Sequence, residues 1–152
     1  QNYGANQPDR IRKGIYKGTI VSVLYGAIFG LFAMILWGRD LCLLFLDAAN
    51  TVELDLAALY LRRMGYCLWV LGILNVCRMS IQGLGNARKA MMSGVLEMIA
   101  RTVVSVLFVG SFGYDAITWA DQAAWFAATF FVVPMVIYSI RNVEQHFKGA
   151  LS

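Results

Sequence analysis

The chain has 152 residues and a formal net charge of +4; 59% of its residues are hydrophobic and 14% charged, with a mean hydropathy of +0.61. Soluble domains run to about 45–50% apolar and 25% charged residues, so this composition excludes an ordinary soluble fold and fits about four bilayer-spanning helices of ~20 residues. The basic residues form no single stripe interleaved with aromatics, which argues against a nucleic-acid partner, and Cys42, Cys67 and Cys77 lack both Cys-x-x-Cys spacing and a neighbouring His, which argues against a metal site or disulfide framework.

Residues 1–17 are polar, with Gly4, Asn6 and Pro8 as turn formers followed by Arg10, Arg12, Lys13 and Lys17. They read as a solvated basic loop without the apolar stretch of a signal peptide. Residues 18–37 carry no charge and are long enough, at 1.5 Å per residue, for a hydrocarbon core of ~30 Å, making the first span. Gly14, Gly18, Ser22, Gly26 and Gly30 recur every four residues, a small-residue face that lets a second membrane helix approach closely. Four residues overshoot a turn, so that partner crosses at an angle. Residues 38–63 hold Arg39, Asp40, Asp47, Glu53 and Asp55 around an apolar run too short to span. They read as an outer interfacial loop with a half-buried helical turn, then an amphipathic lead-in from about Val52 capped by Asn50 or Thr51.

The second span covers about 64–84 and places Asn75, Arg78 and Gln82 at i, i+3 and i+7, one helical face. The third covers about 90–109, with Ser93, Glu97, Arg101 and Ser105 every four residues. The loop between them is short, so the two spans are antiparallel neighbours. Arg78 lies nine residues before Ala87 and Glu97 ten after it, at similar depth, which makes an Arg78–Glu97 ion pair available; Glu97 and Arg101 can also pair along their own helix. After a turn at Gly113 the fourth span covers about 116–140, with Thr118, Asp121, Trp125 and Thr129 on one face and Pro134 as a kink or hinge. Asp121 has no base within one turn on its own span, so its partner must come from another element. Residues 141–152 read as a polar tail containing the lone His146. No nucleophile, base or phosphate-loop constellation marks a catalytic site, so an enzyme is not expected.

Basic residues set the orientation. Arg10, Arg12, Lys13, Lys17, Arg88, Lys89, Arg141 and Lys148 fall on one side and Arg39, Arg62 and Arg63 on the other, which places both ends of the chain in the cytoplasm. Trp37, Tyr66 and Trp119 then form the outer aromatic belt, Tyr16 and Tyr138 the inner one. Each of Arg78, Glu97, Arg101 and Asp121 costs about 2.5–3.5 kcal/mol near the middle of a span, so all must face protein or water rather than lipid. Arg78 with Glu97 reads as a structural pair locking the hairpin.

At these residues the chain resembles the multidrug and toxic compound extrusion (MATE) family of cation-coupled transporters. Its opening Gln1-Asn2-Tyr3-Gly4-Ala5-Asn6-Gln7-Pro8-Asp9-Arg10 is similar to the family's Gln-Asn-x-Gly-Ala-Gly-x-Pro-x-Arg loop. Gln82-Gly83-Leu84-Gly85 with Ala90, Glu97 and Arg101 resembles its penultimate hairpin, and Ala120-Asp121-Gln122-Ala123-Ala124-Trp125 a stretch of its last helix in which Gln122 replaces the usual Pro. The resemblance implies an all-α integral membrane fold in which residues 1–152 are the last four helices of a twelve-helix transporter, part of one six-helix lobe, with the preceding helices as partners. It implies a multi-pass plasma-membrane antiporter that exports small cationic amphipathic compounds against H⁺ or Na⁺, with no other cofactor and no metal site.

Within that reading Asp121, Glu97, Arg101, Asn75 and Gln82 are the candidates for an ion or substrate path. Because an acid held permanently by Arg is a poor carrier, Asp121 is the expected carrier and Glu97 the structural acid. Gly18, Ser22, Gly26 and Gly30 are the packing face and Pro134 the hinge. Two other readings compete: a related flippase of lipid-linked oligosaccharides, and a non-transporting four-helix membrane scaffold.

Overall fold

The computed structural model of the chain describes residues 1–149, with side chains as far as Gln145. Four long apolar helices organise it, and each is long and apolar enough to cross a bilayer. The first, α1 (Pro8–Phe29), continues as π-helical turns through Gly30–Leu36. A short helix α2 (Gly38–Cys42) follows, then α3 (Thr51–Gly83), α4 (Ala87–Phe112) and α5 (Tyr114–Gly149).

Two boundaries differ from the sequence expectation. The basic segment before residue 18 is not a loop. Pro8 has a pre-set φ and no N–H to strand, and Asp9 sits in the first turn where the helix dipole favours an acid, so α1 starts there and carries Arg10, Arg12, Lys13 and Lys17 as a helical extension. At the other end α5 runs past Ile140 without a break, so the expected polar tail is helical as far as Gly149. His146 and Lys148 belong to the side chains outside the described set, as do residues 150–152. Between α1 and α3 the acidic stretch forms α2 and a turn, and α3 begins at Thr51 after Asn50. The Asn50 side chain makes no cap hydrogen bond, while its carbonyl accepts from the Leu54 amide at 3.0 Å. Cys42 of α2 packs with Leu54 and Ala58.

α3 is the central element, touching α1, its π-helical continuation, α2, α4 and α5. Its contact with α1 is the small-residue face. A Cβ at Gly18 would rest 3.7 Å from Val76, one at Gly72 would come within 2.8 Å of the Ser22 carbonyl, one at Gly26 within 2.9 Å of the Leu68 carbonyl, and one at Gly30 would overlap the Gly65 carbonyl. As the α1 number rises by four the α3 number falls by about four, so the helices are antiparallel and nearly backbone to backbone. Gly14 has nothing within 4 Å, so the ladder ends at Gly18.

On its other side α3 packs Val70, Leu74, Cys77 and Ile81 against Trp125, Ala128, Val132 and Val136 of α5. Ala116, Ala120, Ala124 and Ala128 recur every four residues along α5 and are all buried, a second small-residue face. α4 lies along α5 more than along α3, so the α3–α4 hairpin is a looser neighbour pair than its short loop implies. A single residue, Gly113 at φ 55 and ψ −131, joins α4 to α5, a backbone conformation that L side chains rarely adopt. Trp37, Tyr66, Trp119, Tyr16 and Tyr138 are all exposed, as interfacial rings require.

Gly30→Ala is expected to lower stability by about 1–3 kcal/mol, the cost of overpacking, because its Cβ meets backbone that cannot rotate away. Gly14→Ala, with open space around it, is expected to be neutral or stabilising by less than about 1 kcal/mol. Thermal unfolding of the two variants in detergent checks both.

Candidate functional site

Charged side chains in hydrocarbon must find partners, and those partners determine the site. Arg78 of α3 reaches across the hairpin to Glu97 of α4, Nη2 to Oε2 at 2.6 Å, and its Nε donates to Ser93 Oγ at 2.9 Å. Ser93 is fully buried and passes its own hydrogen to the Ala90 carbonyl at 2.8 Å. The equal depth of Arg78 and Glu97 in sequence is therefore used. Glu97 Oε1 also accepts from Arg101 Nη2, one turn further on, at 3.3 Å.

Arg101 does more than pair along its own helix. Its Nε lies 2.7 Å from Asp121 Oδ1 of α5, so one guanidinium bridges carboxylates on two helices. Asp121 Oδ2 accepts a hydrogen bond from the Tyr60 hydroxyl of α3. The partner that Asp121 lacked on its own span thus comes from both neighbours. The Asp121 and Glu97 side chains are each 17% exposed and that of Arg101 is 47% exposed, so the bridge has one open flank. The two acids and two bases sum to zero formal charge.

The contacts form one ladder, Tyr60–Asp121–Arg101–Glu97–Arg78–Ser93, that passes among α3, α5 and α4. Its two members on α3, Tyr60 and Arg78, are eighteen residues apart, about 27 Å at 1.5 Å per residue, close to the thickness of the hydrocarbon. At the outer end a second group sits beside it. Arg63 of α3 pairs with Asp115 at 2.6 Å, hydrogen-bonds Thr118, and lies 5.5 Å from the Trp119 ring centre.

Asn75 and Gln82 share the α3 face with Arg78 by register but are exposed and, among the described residues, make no side-chain hydrogen bond. Tyr60, Arg63 and Asp115 join the polar cluster, although Arg63 belongs by sequence to the outer loop. The available signal was antiparallel spacing: Asp115, Thr118 and Asp121 recur every three residues at the start of one helix, opposite Tyr60 and Arg63 three apart on another. The expected contrast between the two acids also narrows, because Asp121 has an Arg partner as well; Glu97 is held by two guanidinium groups and Asp121 by one that it shares.

Beside Asp121, Gln122 is 1% exposed, and neither its amide nitrogen nor its carbonyl oxygen has a partner among the described residues. Pro134 lies inside an unbroken α5 and lines an apolar groove of about 320 Å³ with Trp69, Val70, Phe126, Thr129 and Phe130, in which the buried Thr129 hydroxyl is also unpartnered.

Arg101→Met removes the bridge and leaves Asp121 with only the Tyr60 hydroxyl. It is expected to destabilise by about 2–3 kcal/mol, below the cost of breaking a fully buried pair because Arg101 is half exposed. Arg101→Met with Asp121→Asn is expected to recover most of that loss, and denaturant unfolding of the single and double variants reads the difference.

A family model described as MatE matches residues 1–107. No curated protein and no solved structure matches the chain.

Proposed function

The chain belongs to the MatE family of membrane transporters, and we propose that it forms part of one lobe of a twelve-helix antiporter that expels small cationic amphipathic compounds in exchange for H⁺ or Na⁺. In this reading it lies in the plasma membrane with the α3–α4 loop and both ends cytoplasmic, and the preceding helices complete the transport path. The observation that carries the coupling proposal is the sharing of Arg101 between Asp121 and Glu97.

Arg101 acts as a tethered cation. A carboxylate already neutralised by a guanidinium accepts a mobile cation only by giving the guanidinium up. A proton or Na⁺ arriving at Asp121 removes the reason for Arg101 to stay, and Glu97, 3.3 Å away on the same helix, takes the whole guanidinium. Asp121 and Arg101 sit on different helices, so loading Asp121 loosens α5 from α4, while the Arg78–Glu97 pair keeps α4 fixed to α3. Loading takes the four-residue cluster from zero formal charge to +1, and that charge rests on guanidinium groups that both stay within reach of Glu97. Asp121 is the exchanging acid, Glu97 the anchor, and the Tyr60 hydroxyl holds the Asp121 carboxylate in place between the two states.

Asp121→Asn in the intact protein, reconstituted in proteoliposomes, is expected to cut ion-gradient-driven efflux of an organic cation by at least about tenfold, within the usual range of coupling free energies. Glu97→Gln is expected to reduce the amount of folded protein before it reduces coupling per molecule. Undiminished gradient-driven efflux in Asp121→Asn would reject the tethered-cation mechanism.

A further inference from the structure

The N-terminus of α4 has the wrong charges for a free helix end. The first turn of a helix presents unpaired N–H groups and partial positive charge, which acids normally offset. Here the first turn has no acid and carries Arg88 and Lys89 instead. The residue in the capping position does not relieve it. The Asn86 side chain makes no cap bond and turns its amide toward the Leu84 carbonyl at 3.4 Å. The Lys89 and Ala90 amides donate to the Asn86 carbonyl, leaving those of Ala87 and Arg88 without an acceptor among the described residues. Positive charge and free donors are concentrated at one point.

A second feature meets them there. A pocket of about 310 Å³ lies at this end of the bundle, lined by Asn86 and Lys89 of the α4 start, Ser139 and Asn142 of α5, Leu84 and Tyr3. Its lining contains no acid. Ser139 is 2% exposed, and its hydroxyl has no partner among the described residues, although a helical serine ordinarily satisfies itself on the preceding turn. A buried hydroxyl without a partner costs free energy unless something else supplies one. Lys89 is held over the Tyr138 ring at 5.0 Å, which keeps its ammonium beside the pocket and at the level of the aromatic belt.

We propose that this pocket binds a phosphate group, with the Ser139 hydroxyl and the Asn142 amide as donors, Lys89 as counter-charge, and the positive end of α4, with the free Ala87 and Arg88 amides, beside it. Helix N-termini and basic side chains together make this kind of anion site. At the membrane interface the group comes either from the head of an acidic phospholipid or from free phosphate in the adjoining water. The site is separate from the charge ladder and does not depend on the coupling ion or on the substrate exported. An occupied pocket would tie the starts of α4 and the end of α5 together through the ligand.

Hydrogen–deuterium exchange over residues 84–91 of the intact protein tests it, in phosphate-free maltoside micelles alone, in the same micelles with phosphatidylglycerol, and in the same micelles with added inorganic phosphate. Exchange is expected to slow about fivefold, the factor typical of a charge at a helix terminus. Slowing in the phosphatidylglycerol arm alone assigns the group to a lipid head, and slowing with inorganic phosphate shows that the free anion suffices. Ser139→Ala and Lys89→Gln are each expected to abolish most of the slowing while leaving exchange in α1 and α3 unchanged. Exchange that is the same in all three preparations, or slowing that survives both substitutions, would overturn the proposal.

Discussion

Arg101 answers two carboxylates on two helices, and the polar connection of α4 to α5 depends on it. α4 lies along α5, yet its buried residues, Ala90 and Ser93, are at one end, while much of its outer half is apolar surface open to lipid or to other helices. Lipid supplies no hydrophobic pressure to press one apolar helix on another, so packing and polar contacts must do so. Through Arg101 α4 is fixed to α5 in mid-span, and through Glu97 and Arg78 to α3. The same side chains that make α4 costly to place in a membrane are those that define where it sits.

The α1–α3 contact solves the same problem by a different route. It uses no charges; glycines and one serine let two backbones come to within contact distance, so that many weak dispersion contacts and carbonyl neighbours replace ion pairs. α3 therefore meets α1 through an apolar seam alone, and meets α4 and α5 through apolar packing joined by ion pairs.

Much of this was legible in the amino-acid sequence. Four spans, the small-residue face of α1 and the depth match of Arg78 with Glu97 follow from hydropathy and helical spacing, which are local properties. What stayed hidden depended on the third dimension. Gly65 and Gly72 look isolated in α3, at a spacing of seven, until α1 is laid against them. Arg101 reads as the i+4 partner of Glu97, and nothing within either helix indicates that α5 brings Asp121 to its other edge. The early start of α1 was hidden for another reason: a cluster of basic residues after Pro8 has the composition of a solvated loop, and only the permissive position of Pro in a first turn lets it be helix instead. The π-helical turns at Gly30–Leu36 have no signature in composition.

The one-residue link at Gly113 bears on how the protein enters the membrane. Presented singly to the insertion machinery, α4 would bring Glu97 and Arg101 into lipid and α5 would bring Asp121, each a penalty of a few kcal/mol near mid-span. With no slack between them, the two helices cannot be delivered one at a time to opposite faces and reunited later; they enter as a folded-back pair. In that pair Arg101 and Asp121 are already in contact, so Asp121 does not face the bilayer without a partner as it would on α5 alone. Gly113 thus ties the Arg101–Asp121 contact to the arrival of α5 beside α4.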